Sequence, residues 1–238
     1  MKKIVIIGAT SGIGKTLAEL YAKTEAKITI VGRREDKLRE IAVTYKDKCS
    51  YKVCDIMDTN ILTDTLNEIY SILRGIDIMI VTAGTGELNP DLSYELEEPT
   101  LKTNVLGWTC VVDWTMKQFE RQGFGHLVSI SSVGGLRGSG IAPAYNATKA
   151  FQINYLEGMR QKANKLSNKI FVTDIRPGFV DTAMAKGDSL FWVAPVGQIG
   201  TQIYKSIEKK RSVVYVTKRW RYVALLLKIL PSFIYNRM

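Results

Sequence analysis

The stretch KIVIIGATSGIGK, residues 3–15, constrains the fold more than any other part of the chain. A run of β-branched apolar residues meets a turn carrying Gly8, Gly12 and Gly14, and a helical pattern follows from about Gly14 to Ala22. The run is short for a secretory leader and ends in a glycine turn instead of a cleavage site, so it reads as a first strand. A strand, a glycine-rich turn and a helix N-terminus together make an anion site, because the glycines let the backbone come close while free amides and the helix dipole face the ligand. Tight packing is the competing account of the same glycines. The spacing is G-x-x-x-G-x-G, which is neither G-x-G-x-x-G nor a P-loop.

The alternation continues. KITIVG (27–32) precedes a helical pattern from about Arg34 to Thr44, SYKVCD (50–55) precedes one from about Asn60 to Leu73, and IDIMIVTAG, GHLVSIS and KIFVTDIRPG supply further strands. Strands that alternate with helices pair in parallel, and strands that are apolar almost throughout are buried on both faces. The expected fold is α/β: a Rossmann-type doubly wound parallel sheet of about seven strands in three α/β/α layers. TNVLGWTCVVDWTMKQFERQG (103–123) reads as one long helix between the fourth and fifth strands. With 238 residues, 46% of them hydrophobic, the chain can bury one sizeable core. Residues 1–238 are read as a single domain with a basic, apolar tail from about 218.

Net charge is +10, but eight Lys or Arg and no Asp or Glu lie between Lys209 and Met238, so the rest of the chain is nearly neutral. A nucleic-acid binder needs a basic body and a recognisable motif, and neither is present. Cys49, Cys54 and Cys110 have no metal-ligand spacing and read as reduced cytosolic thiols. No metal is expected. No window reaches the roughly 18 to 20 apolar residues of a spanning helix. The tail KRWRYVALLLKILPSFIYNRM joins aromatics and a leucine run to flanking cations. That fits a helix lying in a membrane interface, and equally a helix docked on the body or at a dimer interface. The expected location is the cytoplasm, with peripheral membrane contact through the tail.

At the end of the second strand, a cofactor with a free ribose 2′-hydroxyl favours an acidic residue. VGRRED places Gly32, Arg33 and Arg34 there instead. Glycine leaves room and guanidinium groups suit a 2′-phosphate, so NADP(H) is expected in preference to NAD(H). The alternative is that both arginines are solvated and paired with Glu35 and Asp36. Asp55, closing the third strand, either caps the next helix or meets an adenine amino group.

Tyr145 and Lys149, four apart in PAYNATKAF, share one face if that segment is helical. An ammonium beside a phenol favours the phenolate and lowers its pKa from about 10 toward neutrality. Tyr145 can then give a proton to a carbonyl oxygen or take one from an alcohol. Thirteen residues before Tyr145, VSISSVGG ends the fifth strand at Ser131 and Ser132, where a hydroxyl can bind the same substrate oxygen. His126 begins that strand at the opposite edge, which argues against a Ser-His-Asp hydrolase. Trp108 and Trp114 are expected against the core or a neighbouring subunit.

GATSGIG, TAG (82–84), KTNVLG (102–107), SISS (129–132), YNATK (145–149) and RPGFVDT (176–182) follow the motif order of a known family. To about residue 217 the sequence resembles the short-chain dehydrogenase/reductases. The resemblance implies a catalytic tetrad of Asn104, Ser132, Tyr145 and Lys149. Tyr145 would be the acid/base, Lys149 would lower its pKa and bind the nicotinamide ribose, Ser132 would polarise the carbonyl, and Asn104 would hold a water of a proton relay. Implied NADP(H) contacts are Gly8, Ser11, Gly12, Ile13, Gly14, Arg33, Arg34, Asp55, Ile56, Ala83, Gly84, Tyr145, Lys149, Pro177, Gly178, Val180 and Thr182. A small carbonyl or secondary-alcohol substrate is implied too, as is a homodimer or homotetramer through the helices carrying Asn104 and Tyr145. AMAKGDSLFWVAPV (183–196) would be a lid, whose Phe191 and Trp192 favour an apolar or aromatic substrate. Two departures stand out: Val81 and Thr82 replace both asparagines of the family's Asn-Asn-Ala-Gly, and Ser11 stands where many NADP-preferring members carry a basic residue. The rival reading, a catalytically silent NADP(H)-binding regulatory protein of the same fold, would gain from loss of Tyr145 or Lys149, and both are present.

Overall fold

The computed structural model describes residues 1–167, 169–182 and 191–237. Its strands are β1 (Lys3–Ile7), β2 (Lys27–Gly32), β3 (Cys49–Val53), β4 (Ile78–Val81), β5 (Gly125–Ile130), β6 (Ile170–Pro177) and β7 (Val213–Val216). They form one sheet in the order β3-β2-β1-β4-β5-β6-β7, with every neighbouring pair parallel. The helices are α1 (Gly12–Ala22), α2 (Glu35–Thr44), α3 (Thr59–Leu73), α4 (Tyr94–Leu101), α5 (Trp108–Gln122), α6 (Pro143–Leu166), α7 (Val196–Glu208), α8 (Trp220–Ile229) and α9 (Ser232–Tyr235). This is the expected Rossmann-type sheet.

Alternation along β1 explains the two-sided burial. Ile4 and Ile6 face a core with Leu17 and Tyr21 of α1, Leu38 of α2 and Ile199 and Ile203 of α7. Val5 and Ile7 face the opposite core with Leu62 and Leu66 of α3, Val111 and Phe119 of α5 and Leu156 of α6. Successive side chains of a strand point to opposite faces, so each β1 residue is needed by one layer or the other. The chain winds from β1 out to β3 and then returns across β1 to β4. A crevice opens outside the carboxyl ends of the strands at this reversal, where the connections diverge.

The single helix expected over 103–123 begins earlier and is interrupted. α4 runs into a π-helical turn at Lys102–Gly107, and α5 continues from it. A Cβ on Gly107 would lie 2.1 Å from the Ile56 carbonyl oxygen, so this residue lets the loop after β3 press against the turn. Trp108 and Trp114 are buried in the core beneath it. Beyond β7 the chain folds back as α8 and α9, with Trp220 and Ala224 buried, so the tail is docked on the body along one side.

Candidate active site

Gly8 leaves β1 at φ +93°, and a Cβ there would lie 2.4 Å from the Ala83 backbone nitrogen. Close packing therefore accounts for this glycine directly. Thr82 stands on the far side of the same contact, its hydroxyl hydrogen-bonded to the Ile7 and Gly8 carbonyls at 2.9 and 3.0 Å. The threonine that departs from the family pattern thus braces the end of β4 against the glycine turn. Gly12, at φ +55°, opens α1 with Thr182 as its nearest neighbour in the Cβ direction, which brings the loop after β6 over the turn. The first amides of α1 have no intrahelical partner and face this space. Ile13 follows Gly12 in that first turn.

The arginines after β2 turn toward the same place. Arg34 donates from Nη2 to Thr10 Oγ1 at 2.6 Å and to Ser11 Oγ at 2.8 Å. Arg33 lies 3.6 Å from an Asp55 oxygen and is exposed. Glu35 pairs instead with Arg39 at 3.3 Å, so the pairing of Arg33 and Arg34 with Glu35 and Asp36 is not what the structure holds. Asp55 accepts from the Met57 amide at 2.9 Å, while Asp58 caps α3 through the Ile61 amide at 3.1 Å. The helix-cap reading of Asp55 is thereby corrected: the chain turns once more before α3 begins, and the cap falls three residues later.

Ser132 lies two residues beyond β5, and Tyr145 lies in the first turn of α6, which Pro143 opens. A Cβ on Gly134 would meet Ser132 Oγ at 3.3 Å and Tyr145 Cε1 at 3.6 Å, so the two side chains stand side by side. Ser132 Oγ accepts from the Gly134 amide at 3.0 Å, which fixes the hydroxyl's position. The loop after β4 covers the phenol: a Cβ on Gly86 would meet Tyr145 Cδ2 at 2.3 Å, so only glycine fits. Burial raises the tyrosine pKa above its ordinary value, and the neighbouring Ser132 hydroxyl works against that. The lowering expected from Lys149, whose Nζ stands over the ring at 5.8 Å from its centroid, does not prevail over burial.

Lys149 is 4% exposed, and its Nζ donates to the Ile130 carbonyl and to Gln152 Oε1, both at 3.0 Å. Burial lowers its pKa to about 8, and the buried Asp174 carboxylate pulls the other way. Asp174 itself is held by Arg176 Nε at 2.7 Å and by the Ser131 hydroxyl.

Asn104 sits in the π turn and spends its whole side chain on structure. Its amide exchanges hydrogen bonds with the Thr85 backbone, at 2.9 Å to the nitrogen and 2.7 Å to the oxygen, and donates to Thr148 Oγ1 at 3.1 Å. Its backbone carbonyl accepts from Gln152 Nε2 at 2.9 Å. The Gln152 side-chain amide thus links Asn104 to Lys149. Gln152 was not foreseen; the signal was a polar residue at i+3 from Lys149, on the helix face that Leu156 continues into the core.

Around these groups, Gly84 lies against Asn104 and Lys149, Ile56 is buried beneath the π turn, and Pro177 closes β6 with Gly178 just beyond it. Val180 pairs with Ala194 across the loop that follows. Residues 183–190 of the expected lid lie outside the described residues, whereas Phe191 packs on Phe179 and Trp220 at centroid distances of 5.7 and 5.2 Å. His126 is buried at the amino edge, far from these loops in the sheet register. Among the described residues no His, Cys, Asp and Glu group could hold a metal.

A family model for short chain dehydrogenase matches residues 2–190. An uncharacterized oxidoreductase of Mycobacterium tuberculosis is 32% identical over 191 residues, covering 77% of this chain and 75% of that protein. Among solved structures, an alcohol dehydrogenase from the archaeon Thermococcus sibiricus complexed with 5-hydroxy-NADP matches with a TM-score of 0.79 at 20% identity, over 91% of this chain and 95% of that one. A short chain dehydrogenase/reductase from Burkholderia phymatum in complex with NAD matches at 0.83 and 17% identity, over 94% and 92%. The chain belongs to the short-chain dehydrogenase family of oxidoreductases. Since the fold is shared with structures bearing either nucleotide, it does not by itself choose between them.

Proposed function

We propose that the chain is an NADP(H)-dependent oxidoreductase acting on the carbonyl or secondary alcohol group of an apolar small molecule, with Tyr145 as proton donor and acceptor. The observation that carries this reading is the meeting of Ser132 and Tyr145 beside Gly134, one helical turn from buried Lys149, at the same sheet edge as the glycine turn. When bound, the nicotinamide supplies or accepts the hydride. The first-turn amides of α1 and the opening at Gly12 suit a pyrophosphate. Arg34, held by two hydroxyls and not by a carboxylate, keeps its charge available for a 2′-phosphate.

With its pKa raised, the Tyr145 phenol holds its proton at neutral pH, which suits it to protonate the alkoxide formed in reduction. The Ser132 hydroxyl fixes the substrate oxygen beside it. Lys149 keeps a positive charge below the floor of the site and stabilises the phenolate that proton transfer leaves. Phe179, Phe191 and Trp192 offer an apolar wall for the substrate. A homodimer would cover Leu106 and Phe151, which are 61 and 36% exposed on the helices carrying Asn104 and Tyr145.

The test is titration with NADPH and NADH by nicotinamide fluorescence, followed by a screen of apolar carbonyl compounds. NADPH should bind more tightly, with that preference reduced about tenfold or more in Arg34→Ala, which removes charge-assisted hydrogen bonds. Tyr145→Phe should keep NADPH binding and lose turnover by at least about a hundredfold. Binding of neither nucleotide would defeat the reading.

A further inference from the structure

We propose that α8 is a docking face for an anionic lipid bilayer, placed so that the mouth of the substrate cleft rests on that surface. Tyr222, Leu225, Leu226 and Ile229 are 63, 58, 54 and 68% exposed. They fall at i, i+3, i+4 and i+7, the stripe that a globular helix ordinarily turns toward its core. Here the core side is already taken by Trp220 and Ala224, and the stripe faces outward. Phe233, 68% exposed, follows it at the next turn of chain.

Charge selects the occupant. Lys218, Arg221 and Lys228 are exposed beside the stripe, and no Asp or Glu occurs from Lys209 onward. A second copy docking through the same face would form a two-fold contact, in which each patch meets itself. The cations beside the stripe would then meet those of the other copy with no Asp or Glu of the tail between them. An anionic headgroup layer over an apolar interior complements both features, and the apolar face of such a helix lies in the plane of the interface. None of the described helices is long and apolar enough to cross a membrane, so the contact is with one surface.

The tail is tied to the loops that frame the site. Arg137 Nη1 donates to the Leu230 carbonyl at 3.0 Å, and the Tyr235 hydroxyl donates to the Gly138 carbonyl at 2.6 Å. Both anchors lie between Ser132 and Tyr145. On the other side Trp220 stacks on Phe191, which is half exposed, at 5.2 Å. Docking of α8 therefore sets the cleft beside the acyl region, and the substrate class that follows is an amphipathic carbonyl or alcohol compound dissolved in the bilayer. This last step rests on the oxidoreductase reading above; the docking itself does not.

The experiment is flotation of the full chain, without nucleotide, on vesicles of phosphatidylcholine alone and of phosphatidylcholine with phosphatidylglycerol. The full chain should float with the anionic vesicles and hardly at all with the neutral ones. Leu226→Glu/Ile229→Glu and Arg221→Glu/Lys228→Glu should each cut the bound fraction at least tenfold with an unchanged unfolding midpoint, since all four side chains are exposed. Equal soluble fractions with and without anionic vesicles overturn the proposal. So does a wild-type oligomer that the apolar double variant dissolves without any vesicle binding. A second arm compares a long-chain carbonyl compound held in anionic vesicles with a short water-soluble one. Selective loss of the first in the apolar double variant supports delivery from the bilayer; equal loss or no loss overturns it. Flotation without turnover of any carbonyl compound leaves docking standing and counts against the oxidoreductase reading alone.

Discussion

Lys149 and His126 are each 4% exposed, each has its pKa lowered chiefly by burial, and they sit at opposite edges of one sheet. At the amino edge, His126 Nε2 lies 2.7 Å from Thr173 Oγ1. That hydroxyl commits its proton to the Arg211 carbonyl at 2.6 Å, so the imidazole must be the donor and carries its hydrogen on Nε2. Burial comes first, and the charges of Lys210 and Lys2 add to it, bringing the pKa to about 4 and leaving the ring neutral. At the carboxyl edge the same desolvation meets a different shell. Lys149 faces two oxygens and the field of Asp174, and its pKa settles at about 8, which leaves it charged at neutral pH. One edge discharges its buried base, and the other assembles acceptors to keep a cation that would otherwise be lost. Retaining a buried charge costs stability, and such groups gather where chemistry uses them.

Removing Lys149 should break this contrast most visibly. Lys149→Met should lower turnover by at least about a hundredfold, because the phenolate left by proton transfer loses its counter-charge. His126→Gln should leave turnover in place. The same lysine variant should also flatten part of the stability profile. Between about 8 and the unfolded value of 10.5 the unfolded chain binds the extra proton, so wild-type stability rises with pH there, by about 1.4 kcal/mol per unit. Below that window the burial penalty is felt in full. Denaturant midpoints at two pH values within the window, compared between wild type and variant, measure the difference; equal slopes would mean that Lys149 is not held as described.

His126 governs the acid side by the same logic. From its ordinary 6.5 down to about 4 the unfolded chain takes up a proton that the folded imidazole refuses, so stability falls as pH drops through that range. In His126→Gln, whose amide can still donate to Thr173, this contribution should vanish, at about 1.4 kcal/mol per pH unit. Urea unfolding at pH 7 and pH 5 checks it: wild type should lose clearly more stability than the variant.

Which parts were legible beforehand follows from what each part depends on. The strands were plain because a buried parallel strand is apolar on both sides, as Ile4 to Ile7 are, and no tertiary contact needed to be known. The nearness of Ser132, Tyr145 and Lys149 was legible because they lie at fixed separations along adjoining elements. The direction of the tyrosine shift was not, because it depends on Gly86 and a loop that sequence spacing does not bring over the ring. The π turn was hidden for a related reason: KTNVLG has ordinary helical composition, and its extra residue is accommodated only by packing on Ile56. The tail was half legible. Its composition allowed either a docked or an interfacial helix; the structure docks the face of Trp220 and Ala224 and leaves Tyr222, Leu225, Leu226 and Ile229 exposed.

The smallest expected effect tests the contrast most finely. Gln152 bridges the Asn104 carbonyl and Lys149 Nζ, so it is one of the two hydrogen-bond acceptors that face the lysine. A hydrogen bond to the charged form raises a base's pKa, and removing it lowers that pKa. Gln152→Leu should therefore move the alkaline limb of kcat/KM for NADPH, which reports groups of the free enzyme, toward acid by about one pH unit. Gln152→Glu places an anion beside the ammonium and should move the same limb toward alkali. The acidic variant also leaves the Asn104 carbonyl without a donor, so both variants lose some kcat, and loss of rate alone decides nothing. Opposite displacements of the limb identify Gln152 as the residue that positions and charges Lys149. A limb that stays in place in both, with kcat reduced at every pH, would assign Gln152 to packing and put the burden of holding the cation on Asp174 and the Ile130 carbonyl.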